Sequence, residues 1–244
     1  MPKLHALVPL ALVLAIQPAR AEFARIRDPD ASANLRNEPR NTAPIAAKIP
    51  NGAYVYTPEP NSGGYRQNGW QFVVYRQNGR LLEGWMHGSR LQPLSRYAAV
   101  PVKAAADGFS CISGGSGIRV RVGRFDFARE KPHFNSTQNG RITRYRDREI
   151  YGTDGTVPQT HFREIAFISG GKAKPAPAAQ YAALFNPYIG SQRETADRSR
   201  CYRAPDGAFL LASAISDGAA YTEVLFVFRQ GSLHSVAAYV HPEV

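Results

Sequence analysis

An all-β fold is what this 244-residue sequence predicts, and three observations carry the expectation. Aromatic and β-branched residues recur in short runs; Asn-Gly, Asp-Gly and Gln-Gly pairs suited to tight turns separate those runs; and only residues 178–185 carry the apolar spacing of a helix. Short strands punctuated in this way argue small barrels and antiparallel sheets. The expected architecture is a small N-terminal barrel followed by a second, mainly antiparallel β domain with one short helix.

The first residues read as an address rather than as part of the fold. Lys3 precedes an apolar segment over 6–16, and Ala19-Arg20-Ala21 has the small-x-small form of a signal-peptidase site, so 1–21 is expected to be an export signal. The apolar segment is too short for a stable anchor, since a spanning helix needs roughly 20 apolar residues. Residue 22 is Glu, not Cys, so no lipid anchor is expected, and the mature chain should be periplasmic or secreted with no stable membrane insertion. Loss of Lys3 and Arg20 lowers the formal charge from +11 to +9. Export removes nucleic acid from the expected partners of such a basic chain and leaves acidic envelope polymers, anionic headgroups or an acidic protein.

A barrel is expected over 22–97. After Asn51-Gly52 comes Ala53-Tyr54-Val55-Tyr56, ended by Pro58 and Pro60; Gln71-Phe72-Val73-Val74-Tyr75 follows a loop at 61–64; Asn78-Gly79 then turns into Leu81-Leu82-Glu83-Gly84-Trp85-Met86. Leu35, Phe72 and Trp85 are the expected interior. The same region carries Asn34-Leu35-Arg36, Pro39, Pro44-Ile45, Pro50-Asn51-Gly52, Gly69-Trp70 and Gly84-Trp85 in that order. Over residues 24–94 this resembles the bacterial SH3 (SH3b) family, departing from it at Glu38, where Gly is usual, and in a long loop between Asn61 and Asn68. The resemblance implies ligand contacts from aromatic residues in a groove between loops, with Tyr54, Tyr56, Tyr65, Trp70 and Tyr75 as candidates by type. Aromatic faces with a few hydrogen-bond donors suit peptide stems or sugar rings.

Residues 98–108 read as a linker and 109–244 as a second, disulfide-containing domain, for which no resemblance is identified. Ile118, Val120 and Val122 alternate with Arg119 and Arg121, giving a strand that Gly123 breaks and that Phe125 and Phe127 are expected to resume, as after a bulge or bend. No element is legible over 129–160. Residues 161–169 read as a strand and 170–177 as a loop. The helix expected at 178–185 puts Ala178, Tyr181, Ala182 and Phe185 on one face and stops at Asn186-Pro187. Three antiparallel strands over 208–216, 219–229 and 232–240 close the chain. An even number of cysteines in an oxidising compartment predicts that Cys111 and Cys201 are joined.

Candidate chemistry is sparse. The histidines have no metal-ligand spacing, and there is no phosphate loop, serine elbow or His-Glu-x-x-His, so neither a metal nor a cofactor is expected. Asp107-Gly108-Phe109-Ser110-Cys111 resembles the segment around the Cys nucleophile of cell-wall peptidases, but Cys111 leads into an alternating strand rather than a helix that would lower its pKa. Arg119, Arg121, Arg124, Arg141, Arg144, Arg146 and Arg148 form the densest basic region. Either Arg119 and Arg121 stand beside Arg144 and Arg146 as a surface for carboxylates or phosphates, or Asp126, Asp147, Glu149 and Glu164 neutralise them as ordinary ion pairs. The leading expectation is a non-catalytic exported protein binding peptidoglycan or an envelope protein. Two alternatives stand beside it: an inhibitor or immunity-type protein acting on a secreted enzyme, and an undetected cell-wall hydrolase. For the inhibitor, Asp217-Gly218-Ala219-Ala220-Tyr221 resembles the Ser-Gly-x-x-Tyr loop of periplasmic lysozyme inhibitors.

Overall fold

Eight strands form a curled half-barrel: β1 (Glu22–Ile26), β2 (Ser32–Arg36), β3 (Ile45–Pro50), β4 (Tyr54–Thr57), β5 (Arg66–Gln67), β6 (Trp70–Gln77), β7 (Arg80–His87) and β8 (Leu91–Pro93). The computed structural model describes residues 22–58, 64–77 and 79–240; the expected export signal and most of the loop at 61–64 lie outside the described residues. The strand order is β3-β2-β7-β6-β4-β1-β8, with β5 paired to β6. Ala24, Ile26, Leu35, Ile49, Val55, Val73 and Met86 fill the hollow of the curl. Leu35 is therefore interior, as expected. Phe72 and Trp85 are not: each sits one residue from an inward-facing neighbour, Val73 or Met86, so the pleat turns both outward, where they pack edge to face at 5.7 Å and stay half-buried.

Residues 98–108, expected as a linker, supply two strands instead. β9 (Ala98–Val100) pairs with β18 (Ser199–Arg203), and β10 (Lys103–Ala105) pairs with β11 (Gly108–Ser113). Two five-stranded sheets result. The outer one has the order β10-β11-β12-β16-β17, adding β12 (Ser116–Arg124), β16 (Thr160–Ser169) and β17 (Lys172–Pro175). The central one has the order β21-β20-β19-β18-β9, adding β19 (Phe209–Ile215), β20 (Thr222–Arg229) and β21 (Ser232–Val240). The last three are the antiparallel strands expected at the chain's end.

Every residue of β19 and almost every residue of β20 is buried, because the central sheet is covered on both faces. Phe209, Leu211, Val224 and Phe226 face the outer sheet's Phe109, Ile118, Val120 and Ile165. Leu210, Ala212, Leu225 and Val227, the alternate set, face Phe23, Tyr56 and Val74 of the half-barrel. Three β layers thus share two cores. The Cys111–Cys201 disulfide joins β11 to β18, and so ties the outer sheet to the central one.

The remaining chain is a small annex. It holds α1 (Phe127–Glu130), a helix turn where Phe127 was expected to resume a strand, and a three-stranded sheet of β13 (Phe134–Ser136), β14 (Ile142–Tyr145) and β15 (Arg148–Glu149) in the stretch where no element is legible. Its core is aromatic: Phe125, Phe134, Tyr145 and Phe185 meet ring to ring at 4.6–6.0 Å. The helix expected at 178–185 is only a 3-10 turn at Ala178–Gln180. Tyr181 packs in the core between the sheets while Phe185 packs in the annex, and these two anchors pull the segment out of helical register. The longer helix, α2 (Gln192–Arg198), starts at a capping box in which Ser191 and Glu194 bond each other's backbone N–H. Among the described residues, no helix is long and apolar enough to cross a membrane.

Candidate functional site

A cleft of about 600 Å³ lies where the annex meets the end of the outer sheet. Four local features aim arginines at it. On β16, Arg121 of β12 pairs with Glu164 and Val122 pairs with Phe162, so Arg163 is a bulge residue with no partner across the ladder. Bulges re-aim a side chain in this way. β12 continues through Gly123, where a break was expected, and delivers Arg124 to the same rim. Between β14 and β15 the chain reverses through Arg146 (φ 48°) and Asp147 (φ 62°), a conformation costly for non-glycine residues, which sets Arg146 and Arg148 on the cleft. α1, capped by the Asp126 carboxylate accepting from the Arg129 N–H, contributes Arg129.

Five guanidinium groups, Arg124, Arg129, Arg146, Arg148 and Arg163, therefore line one cleft with only Asp126 and Glu130 as carboxylates, a formal +3. All five arginines are exposed. Glu130 is engaged from three sides: it accepts the Tyr145 hydroxyl at 2.6 Å, Arg146 Nη2 at 2.9 Å and Arg129 Nε at 3.2 Å. Arg146 also lies over the Tyr145 ring, 5.2 Å from its centroid. Arg148 donates to the Ala179 carbonyl. Among the described residues no carboxylate lies within ion-pair distance of Arg124, Arg148 or Arg163, so three cations remain uncompensated. Phe125, Phe162, Tyr181 and Ala182 form the apolar floor.

The Tyr145 hydroxyl, then Arg146, holds the Glu130 carboxyl down to about 2. Because the folded value lies below the ordinary one, the stabilisation from this ion is complete above about pH 4.5 and is lost as pH falls towards 2. A carboxyl carbon NMR titration of the intact protein is expected to find Glu130 ionised at pH 3.5; a midpoint near 4.5 would contradict the three-donor pin. His161, half-buried against Phe125 at 5.4 Å, is pushed below its usual value chiefly by burial, with Arg129 and Arg163 adding to the effect against the opposing pull of Glu130.

No family model, curated protein or solved structure matches this chain.

The other expected site residues fall elsewhere. Arg119 and Arg121 do not stand beside Arg144 and Arg146: β12 is flanked by β11 and β16, whereas β14 belongs to the annex. Arg119 pairs with Glu164 at 2.9 Å, Arg121 reaches Asp107 at 3.5 Å, and Arg144 donates to the Asp147 carbonyl. Of that set only Arg146 joins the cleft. Neither do the five barrel aromatics form one groove. Tyr56 is wholly buried, stacked on Tyr239 of the central sheet at 5.7 Å. Tyr54 lies on the same covered face with Arg25 6.0 Å from its ring centroid, and burial pushes its hydroxyl up to about 12. Tyr75 packs toward the hollow of the curl, and Tyr65 leans on Phe72 at 5.2 Å. Trp70, 7% exposed, lines a separate pocket of about 310 Å³ with Arg66, Gln71 and Arg96.

Sequence reasoning counted the arginines but missed Arg129 and Arg163. Pairing register, not composition, brings them in. Cys111 is held in its disulfide, which occupies the sulfur that a nucleophile would need. The Asp217–Tyr221 loop is pinned from within. Burial alone would raise Asp217, but the N–H groups of Ala220, Asp154 and Ala219 and the Thr156 hydroxyl hold it well below the usual carboxylate range.

Proposed function

We propose that this chain is an exported, non-catalytic binding protein of the cell envelope and that its arginine cleft holds an anionic ligand. The observation that carries the reading is the convergence of Arg124, Arg148 and Arg163, three exposed guanidinium groups without a carboxylate partner among the described residues, above an apolar floor. Guanidinium forks grip carboxylates and phosphates in pairs, and unpaired forks sharing one concavity are available for that purpose without first breaking an ion pair. Peptidoglycan peptides and acidic envelope proteins both offer carboxylates, and the basic charge of the mature chain would steer either toward the cleft.

The ligand is tested with tripolyphosphate and with a tri-glutamate peptide by calorimetry. Binding is expected to weaken at least tenfold in the Arg124→Gln/Arg163→Gln double variant, and to weaken steeply between about 50 and 200 mM salt, because exposed charges are screened within about 8–10 Å at such ionic strengths. Equal affinity in the double variant, or an affinity indifferent to salt, would refute the cleft as the site.

A second reading keeps the likeness of residues 24–94 to bacterial SH3 domains and assigns wall-fragment binding to the barrel. It is favoured by the pocket beside Trp70, in which Gln71 is 4% exposed and accepts Arg66 Nε at 2.8 Å. Binding of solubilised wall fragments that is lost in Arg66→Ala but kept in the double variant would move the site there.

A further inference from the structure

The nine-residue strand β21 is an edge of the central sheet, paired on one side with β20. Among the described residues its other side makes no backbone hydrogen bond. In an antiparallel strand every second residue turns its N–H and C=O outward, so a row of donors and acceptors is left open. Natural sheets blunt such edges with Lys, Pro, short strands or a covering element.

The other long edges follow that rule. β3 carries Lys48 and Pro50, and β17 carries Lys172, Lys174 and Pro175. β10 carries Lys103 and is covered by Gln192 of α2, which accepts the Ala104 N–H and donates to the Val102 carbonyl. β8 and β9 are three residues each. β21 reads Ser-Leu-His-Ser-Val-Ala-Ala-Tyr-Val, with no Lys, Arg, Asp, Glu or Pro.

That bare edge borders a crevice of about 370 Å³ lined by Val236, Ala237 and Ala238. Consecutive strand residues point to opposite faces, so a cavity touching three in succession meets the strand along its edge. Arg76 and Gly79 of the half-barrel, Arg148 and Glu149 of β15, and Tyr151, Ala183 and Leu184 also line it, and Arg148 lines the arginine cleft as well. Glu149 compensates Arg76 at 3.4 Å; Arg148 is left as the uncompensated charge.

We propose that the outer edge of β21 is a strand-addition site for an extended acidic peptide segment of a partner protein. Main-chain hydrogen bonds to the open row supply affinity, and acidic side chains facing Arg148 supply selectivity. A second copy of this chain is the poorer occupant, because edge-to-edge pairing would bring two uncompensated Arg148 side chains together on a chain that is already strongly basic. The site shares Arg148 with the arginine cleft, but the proposal rests on the open row of β21 and stands whether or not the cleft binds an anion.

The test is selection of displayed ten-residue random peptides on the full-length, disulfide-intact protein, followed by hydrogen exchange with the winning synthetic peptide. Enriched peptides are expected to lack Pro and to carry Asp or Glu at alternate positions, and the peptide should slow exchange of amides within β21 at least tenfold. N-methylation of alternate peptide residues should abolish binding in one phase of the alternation and spare it in the other. Arg148→Glu should weaken the same peptide at least tenfold. A library yielding no peptide that protects β21, or only peptides protecting 124–163, overturns the proposal. Protection of β21 that grows with protein concentration in the absence of peptide also overturns it, by making the edge a contact between copies.

Discussion

Residues 22–97 expressed alone are expected to give no cooperative thermal transition and a poorly dispersed proton NMR spectrum. The sequence argues the opposite, since the barrel strands end by Leu91 and both cysteines come later. What decides is the outward face of the half-barrel. Phe23, Tyr56 and Val74 are at most 3% exposed in the whole chain, and the residues that cover them are Tyr202, Leu210, Leu225, Val227 and Tyr239 of the central sheet. Cutting after Tyr97 would uncover that entire face, leaving the smaller core of Ala24, Ile26, Leu35, Val55 and Met86 to offset the conformational entropy of about 75 residues, at roughly 1–2 kcal/mol each. So small a core rarely suffices alone. In the full-length protein, Tyr56→Ala is correspondingly expected to cost about 3 kcal/mol or more, the range for truncating a fully buried large aromatic. A fragment that melts cooperatively, together with a Tyr56→Ala loss under about 1 kcal/mol in denaturant titrations, would show that the half-barrel is self-sufficient.

Why this was not read from the sequence can be located in particular residues. The alternation of Val55 with Tyr54 and Tyr56, and of Val73 with Phe72 and Val74, is visible, and it marks two apolar faces rather than one. So is the unbroken apolar character of β19 and β20, which belongs to strands buried on both sides. Taken together, those patterns call for a third layer, whereas the family-like order of Gly-Trp and Pro-Asn-Gly signals around them points to an independent barrel. The three strands at the chain's end and the cysteine pair were legible because each rests on local turn chemistry or on a count. The bulge that frees Arg163 was not, because it exists only in the pairing of β16 with β12. Ser191 and Glu194, by contrast, carried a readable capping signature for α2 that the Ala-rich stretch at 178–185 overshadowed.

The second large effect is expected from removing the disulfide. Cys111 and Cys201 are separated by 90 residues, so in the chain-entropy account their bridge restricts the unfolded chain by roughly 4–5 kcal/mol, with measured losses commonly about 2–5 kcal/mol. Its position adds a second consequence. β11 and β18 lie in different sheets, and the bridge is their covalent tie across a core packed from Phe109, Ile118, Val120, Leu211 and Phe226, with the exposed Arg203–Ser113 and Lys174–Ser232 hydrogen bonds beside it. Loss of the tie should therefore loosen the outer sheet before the half-barrel. Cys111→Ala/Cys201→Ala is the better test than reductant, because both sulfurs are buried, at 0% and 2% exposure, and a reductant reaches them only after opening. A drop of about 10 °C in melting temperature is expected, from about 2–4 °C per kcal/mol for a chain of this size. Hydrogen exchange should rise first in β10–β12 and β16–β17 while β1–β8 stay protected. A drop under about 3 °C, or uniform loss of protection across all three layers, would mean that packing alone binds the outer sheet.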